Sequence, residues 1–317
     1  MKNKCYKLNG EIRFRGEFFR FFMPNASRSF FKFATFILNL IFKGKKPPKI
    51  YNYEQVNVGD SKIRTCVYSR KNSLNYNRPI VIWLHGGGYG LGIPEYEFSF
   101  IKEFLDCCDC IVISPDYTLS YKKPYPTALK ECYEVLLWAY NNAEELGANR
   151  NCIIVGGDSA GGGLTVALCM YARDKKQVRI TCQLPVYPMI DDRSTNSNRN
   201  NYAPMWNTTS NKKAWEIYLG EYYNLNSIPY YAAPARCDNY NDLPQAFTYI
   251  GDVDLFLDET KAYINNLKEC GIRAEMLVLE GCYHGFDVLC PKSVVAKTAR
   301  KFLREQFLKV INTCCNK

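Results

Sequence analysis

The chain has 317 residues, 47% of them hydrophobic and 15% aromatic, which supplies a sizeable core and excludes global disorder. The net charge of +10 is uneven: residues 1–46 hold eleven Lys and Arg against Glu11 and Glu17, a surplus of nine, so the rest is nearly neutral and gives no reason to expect a nucleic-acid partner. Fifteen cysteines with no paired C-x-x-C arrangement and only two histidines speak against a metal centre and predict scattered free thiols in a reducing cytoplasm.

In chain order, residues 1–50 form a basic, Phe-rich arm. Its apolar stretch at 30–42 is interrupted by Lys32 and Asn39 and is shorter than the roughly 20 residues of a membrane span. The beginning of the chain does not read as a signal peptide, because charges recur through Arg28. The arm is expected to cover the body as a surface helix pair and to belong to a cap. The alternative is weak contact with an anionic membrane surface, a peripheral association.

From residue 79 onward apolar runs alternate with helical patterns, the signature of an α/β fold with a mainly parallel central sheet and helices on both faces. Strands are predicted at 80–84, 111–114, 152–155, 180–186, 246–250 and 274–279. Helices are predicted at 127–146 with Gly147 as the stop, at 160–173, at 258–270 and at 293–308. Residues 191–242, rich in Asn, Asp, Ser and Pro, break the rhythm and read as an inserted cap over the carboxyl edge of the sheet. The core would then comprise residues 51–190 and 243–317.

Gly157-Asp158-Ser159-Ala160-Gly161 fits G-x-S-x-G between an apolar strand and an apolar helix. In that context the glycines allow a turn tight enough to lift the Ser159 hydroxyl to the sheet edge as a nucleophile. His85-Gly86-Gly87-Gly88 follows the first strand. Its glycines free backbone N–H groups for an oxyanion, and Gly87 and Gly88 join Ala160 as the expected donors. A phosphate-binding loop is disfavoured, since no Lys-Ser/Thr pair follows the glycines. His85 and Gly86 would shape this loop.

A serine hydroxyl needs a base at neutral pH. With His85 in the loop, His284 in Tyr283-His284-Gly285-Phe286 is left for that role. The orienting acid should lie between serine and histidine in the chain, where Asp252, Asp254 and Asp258 compete. Asp258 reads as the cap of the next helix, and spacing alone does not separate Asp252 from Asp254.

These residues resemble the hormone-sensitive-lipase-like esterases, the α/β-hydrolase fold-3 family. The likeness rests on the 85–88 loop, the 157–163 elbow, Tyr187-Pro188-Met189-Ile190-Asp191-Asp192-Arg193, Tyr231-Ala232-Ala233-Pro234-Ala235-Arg236, and Asp254-Leu255-Phe256-Leu257-Asp258-Glu259 with His284-Gly285-Phe286. The resemblance implies Asp254 as the acid and oxyanion donors at Gly87, Gly88 and Ala160. It also implies a cap built from the N-terminal region and the insert, and a cofactor-free carboxylesterase acting on small esters with short to medium acyl chains. Where many family members carry D-Y-R-L-A-P-E, this chain has Asp116-Tyr117-Thr118-Leu119-Ser120-Tyr121-Lys122, so a structural ion pair has been replaced.

Two other readings share the scaffold. One is a non-catalytic small-ligand binder, like plant hormone receptors that lack the histidine this chain keeps. The other is a hydrolase of amides, lactones or acetylated sugars or sterols. Tyr89, Trp206 and Trp215 are the candidates for a substrate pocket.

Overall fold

The structure is a computed structural model that describes residues 6–22, 24–73, 75–223, 225 and 227–315. Lys2 and Lys4 of the basic arm lie outside the described residues, as do the side chains of Cys314 and Cys315. The elements are α1 (Gly10–Phe22), α2 (Arg28–Phe42), β1 (Tyr51–Val58), β2 (Ile63–Arg70), β3 (Arg78–Leu84), α3 (Phe98–Cys107), β4 (Ile111–Pro115), α4 (Thr127–Asn141) and β5 (Ala148–Asp158). They continue with α5 (Ala160–Lys175), β6 (Cys182–Val186), α6 (Thr208–Leu219), β7 (Gln245–Gly251), α7 (Leu257–Glu269), β8 (Ala274–Leu279), α8 (Phe286–Leu289) and α9 (Val294–Val310).

The strands form one sheet in the order β1-β2-β4-β3-β5-β6-β7-β8. Pairing is parallel from β4 to β8, as expected from the sequence rhythm, and antiparallel only where β2 meets β1 and β4. The central strands β4 and β6 are buried at every position, which is why they read as unbroken apolar runs rather than alternating ones. The chain leaves β3 in one direction to make β4 and in the other to make β5. That reversal opens a crevice at the carboxyl ends of the strands, where ligands of open α/β sheets bind.

The hairpin β1–β2 and helix α3 were not apparent in the periodicity. Strand β1 exposes most of its polar face at the sheet edge, so its pattern is diluted. Helix α4 ends at Asn141 rather than 146, with the Asn142 side-chain amide capping the Trp138 carbonyl at 2.8 Å. Asp258 does not cap α7: it sits in the first helical turn, and the Ser197 hydroxyl accepts its N–H at 3.1 Å while Asp258 accepts the Ser197 N–H at 2.7 Å. The missing ion pair of the 116–122 segment is replaced from β2, where Arg64 holds Asp116 at 2.9 Å and Glu95 at 2.6 Å. The expectation of free thiols also needs correction at one position. Eleven described cysteines form no disulfide, but Cys152 is disulfide-bonded, a pairing that sequence spacing cannot specify.

The arm and the insert meet above the strand ends. Asn207 caps α6 by accepting from Ser210 N–H, and its amide donates to Asn25 at 3.0 Å. Ala26 N–H donates to the Ser210 hydroxyl, tying the α1–α2 connection to the insert. Gly16 of α1 packs flush on the Tyr283 ring, and Phe31 of α2 packs on Gly90. No described helix is long and apolar enough to cross a membrane.

Helix α9 brings Arg300 under the crevice, where it meets Asp287 at 2.7 Å and lies 3.3 Å from the Phe100 ring centroid. Both charged side chains are almost fully buried. Arg300→Ala should therefore strand a buried carboxylate and lower the unfolding free energy by about 3–5 kcal/mol, measured by denaturant titration.

Candidate active site

Ser159 stands between β5 and α5 with φ 53° and ψ −118°, a conformation that L residues rarely adopt. Such backbone costs about 1–3 kcal/mol and persists only where its surroundings over-determine it. Here they do: Ser159 N–H donates to Val186 carbonyl at 2.9 Å, and its own carbonyl accepts from Gly163 at 2.9 Å and Met189 at 3.0 Å. Close passage of α5 beneath β3 is possible because Gly161 has no side chain. A Cβ there would stand 2.0 Å from the Leu84 carbonyl oxygen.

The structure brings three of the sequence-singled residues together. His284 Nε2 lies 2.8 Å from Ser159 Oγ, and His284 Nδ1 lies 2.8 Å from Asp254 Oδ2. A carboxylate can only accept, so Nδ1 carries the proton and Nε2 is left to accept from the hydroxyl. All three side chains are buried. Asp254 is fixed in turn by accepting the Phe256 N–H at 2.9 Å, while the edges of the Phe256 and Tyr187 rings confine the imidazole. Asp252, left open by spacing, is turned elsewhere: it accepts the Gly281 N–H at 2.7 Å and holds the turn after β8.

Beneath these residues lies a buried polar layer that sequence reasoning missed. Asp287 accepts from Tyr187 at 3.0 Å, from Tyr249 at 2.7 Å and from Arg300, so the ring beside His284 is anchored to an ion pair. Asp158, the variable residue of the G-x-S-x-G motif, is hydrogen-bonded to Glu97, which also accepts from Trp83 N–H at 3.2 Å. Burial pushes the Asp158 carboxyl up to about 6 and that of Glu97 well above the usual range, so the pair shares a proton with Glu97 as donor. Glu259 accepts the N–H groups of Ile190 at 2.8 Å and Asp191 at 3.1 Å, pinning the root of the insert to α7. The only sequence signal for this layer is acidic residues inside otherwise apolar stretches.

The glycine loop bends over Ser159 from the end of β3. Gly87 has φ +108°, and a Cβ there would strike the Leu91 carbonyl at 2.2 Å, so the loop closes only on glycine. Among the described residues the N–H groups of Gly87, Gly88 and Ala160 donate no hydrogen bond. Ala160 is the first residue of α5, whose terminal N–H groups favour negative charge. Trp206 packs on Gly88. Tyr89 and Trp215, expected at a pocket wall, are instead spent on the joint between insert and body. Tyr89 stacks on Tyr218 at 3.8 Å, lies 5.6 Å from Trp215, and donates its hydroxyl to the Met189 carbonyl.

His85 is fully buried and stacked 3.9 Å from Tyr117, whose hydroxyl donates to the His85 carbonyl; His85 Nδ1 donates to the Gly86 carbonyl at 2.9 Å. Burial is the main cause that lowers its pKa from 6.5 to about 4, so the ring is neutral at physiological pH. A depressed folded pKa contributes stability that is present above about pH 6.5 and lost as pH falls towards 4. His85→Gln should remove up to on the order of 3 kcal/mol of the acid-side loss in that window, read from denaturation curves of both proteins across pH.

The α/β hydrolase fold family is matched over residues 81–288. A putative α/β hydrolase of Acanthamoeba polyphaga mimivirus is 29% identical over 80% of this chain and 74% of its own length. An arylesterase of Saccharolobus solfataricus is 32% identical over 66% of this chain and 69% of its own length. Among solved structures, a bacterial heroin esterase superposes with a TM-score of 0.84 at 25% identity, covering 94% of this chain and 97% of that one. With the matched segment running from β3 to α8 and enclosing the glycine loop, the serine elbow and the histidine turn, the chain belongs to the α/β-hydrolase fold-3 family, the hormone-sensitive-lipase-like branch of the α/β hydrolases.

Proposed function

We propose that this protein is a serine carboxylesterase for esters with short to medium acyl chains, with Ser159 as nucleophile, His284 as general base and acid, and Asp254 as the group that orients the imidazole. One observation carries the reading: an unbroken relay of 2.8 Å contacts from Ser159 Oγ through both ring nitrogens to Asp254. Such distances are those at which a proton is handed over in the reaction. Ester hydrolysis itself is the activity of the named relatives and neighbours, the arylesterase and the heroin esterase among them.

In the proposed cycle, Ser159 Oγ attacks the ester carbonyl carbon while its proton passes to His284 Nε2. The carbonyl oxygen takes the displaced electron pair, and the N–H groups of Gly87, Gly88 and Ala160 receive it; removing one such donor costs about 2.7–4 kcal/mol in related chemistry. His284 then gives the proton to the leaving alkoxide, and the acyl group remains on Ser159. Water, deprotonated by the same nitrogen, attacks the acyl carbon; the C–O bond to Ser159 breaks and the serine regains its proton. Asp254 remains ionised throughout and stabilises the imidazolium. Trp206, lying on Gly88, is the aromatic left to bound the acyl side, and the buried setting of Ser159 and His284 favours small acyl groups. The eleven described cysteines outside disulfides support a reducing, cytoplasmic setting, against which the Cys152 disulfide counts.

Ser159→Ala should abolish turnover of an activated acetate ester and labelling by a fluorophosphonate. Retention of either by the folded variant would remove Ser159 from the mechanism. Asp254→Asn should lower kcat by roughly 10³–10⁴-fold, whereas Asp252→Asn should stay within a few-fold, measured by steady-state kinetics on the same ester. In an acyl-length series, kcat/KM should peak at short chains and fall steeply for long ones.

A further inference from the structure

Helices α1 and α2 turn their apolar faces away from the protein. Phe14 and Phe21 are each 83% exposed, Leu40 75% and Phe33 67%, with Phe18, Phe22, Phe36 and Ile41 also in solvent. In α1 the exposed rings follow i, i+4, i+7, i+8, and in α2 the exposed apolar residues follow i, i+3, i+7, i+8, so each helix presents one apolar stripe. The opposite sides, Ile12 and Gly16 in α1 and Phe31 and Thr35 in α2, are the buried ones. Removing such stripes from water is favourable, and exposed apolar stripes of this kind mark an interaction site.

The charges say what covers it. At about 100° per residue, Arg15 falls on one flank of the α1 stripe and Arg13 on the other, beside Arg20, which pairs with Glu17 at 2.7 Å, and Lys32 falls on a flank of the α2 stripe. Lys43, Lys45 and Lys46 continue directly from the end of α2. Arg13, Lys32, Lys43, Lys45 and Lys46 form no ion pair among the described residues. A two-fold contact with a second copy would set these like charges against each other. A surface that is apolar within and negative at its rim satisfies both features, and a bilayer of anionic lipid is such a surface.

The geometry points to the α1–α2 face as a docking surface for an anionic membrane, with both helices lying in the interface. The inner sides of the same helices touch the site: Gly16 packs on Tyr283, next to His284, and Phe31 packs on Gly90, two residues beyond the loop glycine Gly88. Docked in this way, the roof of the Ser159 site faces lipid. The substrate class is then a short-acyl ester whose alcohol part is dissolved in the membrane, a consequence that rests on the esterase reading, whereas the docking itself does not.

The test is flotation of the full chain with phosphatidylcholine vesicles, with and without roughly one third phosphatidylserine. The wild type and Ser159→Ala should both float with the anionic vesicles, lose binding as salt rises, and stay unbound with phosphatidylcholine alone. Replacing Phe14, Phe18, Phe21, Phe33 and Phe36 by Ser should cut partitioning at least roughly tenfold. Each of Lys32→Glu, Lys43→Glu and Lys45→Glu should cut it about fivefold or more. Thermal melts show that all variants fold, and turnover of a soluble acetate ester shows it again for the Phe and Lys variants. Absence of flotation, equal binding to both vesicles, or unchanged binding by the Phe variant would overturn the proposal. So would a concentration-dependent dimer that the Phe variant dissolves while no protein floats. Loss of turnover in Ser159→Ala with flotation intact leaves the docking surface standing on its own.

Discussion

A serine held at φ 53° between β5 and α5 is the constraint on which the rest depends. Left alone, that backbone would relax into an ordinary helix start and draw Oγ away from the imidazole. It is held because three bonds from two directions converge on one residue: Val186 at the end of β6, Met189 just beyond it, and Gly163 a turn into α5. These bonds need β5 and β6 in register and α5 pressed against β3, so the sheet's parallel order and the glycines at the helix start serve one residue's geometry.

Electrostatics under the site follow from the same crowding. A buried crevice is a poor place for carboxylates, yet Asp158, Glu97 and Asp287 are all buried. Each is handled differently. Asp287 is neutralised by Arg300 and bonded to two tyrosine hydroxyls, one of them on the ring that borders His284. Asp158 and Glu97 share a proton, which keeps two full negative charges from standing behind the glycine loop. Asp254 is the carboxylate hydrogen-bonded to the His284 ring, through Nδ1.

The insert and the arm are attached to the body by different means. The insert is rooted by polar contacts, with Glu259 holding Ile190 and Asp191, and Arg236 holding Asp192 at 2.6 Å. The arm rests on it through small and aromatic surfaces, and through single bonds such as Tyr283 hydroxyl to the Ile12 carbonyl at 3.1 Å and Asn9 N–H to the Gly281 carbonyl at 2.9 Å. A roof held by a few bonds and flat packing separates from the body at lower cost than the sheet it covers.

The sequence by itself determined the parallel sheet, the serine elbow, the glycine loop and the histidine turn. These are local patterns: an apolar run that must be buried, or a turn that only glycine can make, leaves its mark within a few consecutive residues. Strand β8 was legible to the residue, while β1 was not, because an edge strand faces solvent and loses its period. Only the tertiary structure separates the contacts of Asp252 and Asp254, since both lie on one short loop and a two-residue difference sends one to Gly281 and the other to His284. It also placed Tyr89 and Trp215 in a packed joint, paired Glu97 with Asp158 across sixty residues of chain, and set Arg300 beneath the site. Such contacts are made between distant segments in a low-dielectric interior. Their energy depends on which groups the fold brings face to face, and no local pattern records that.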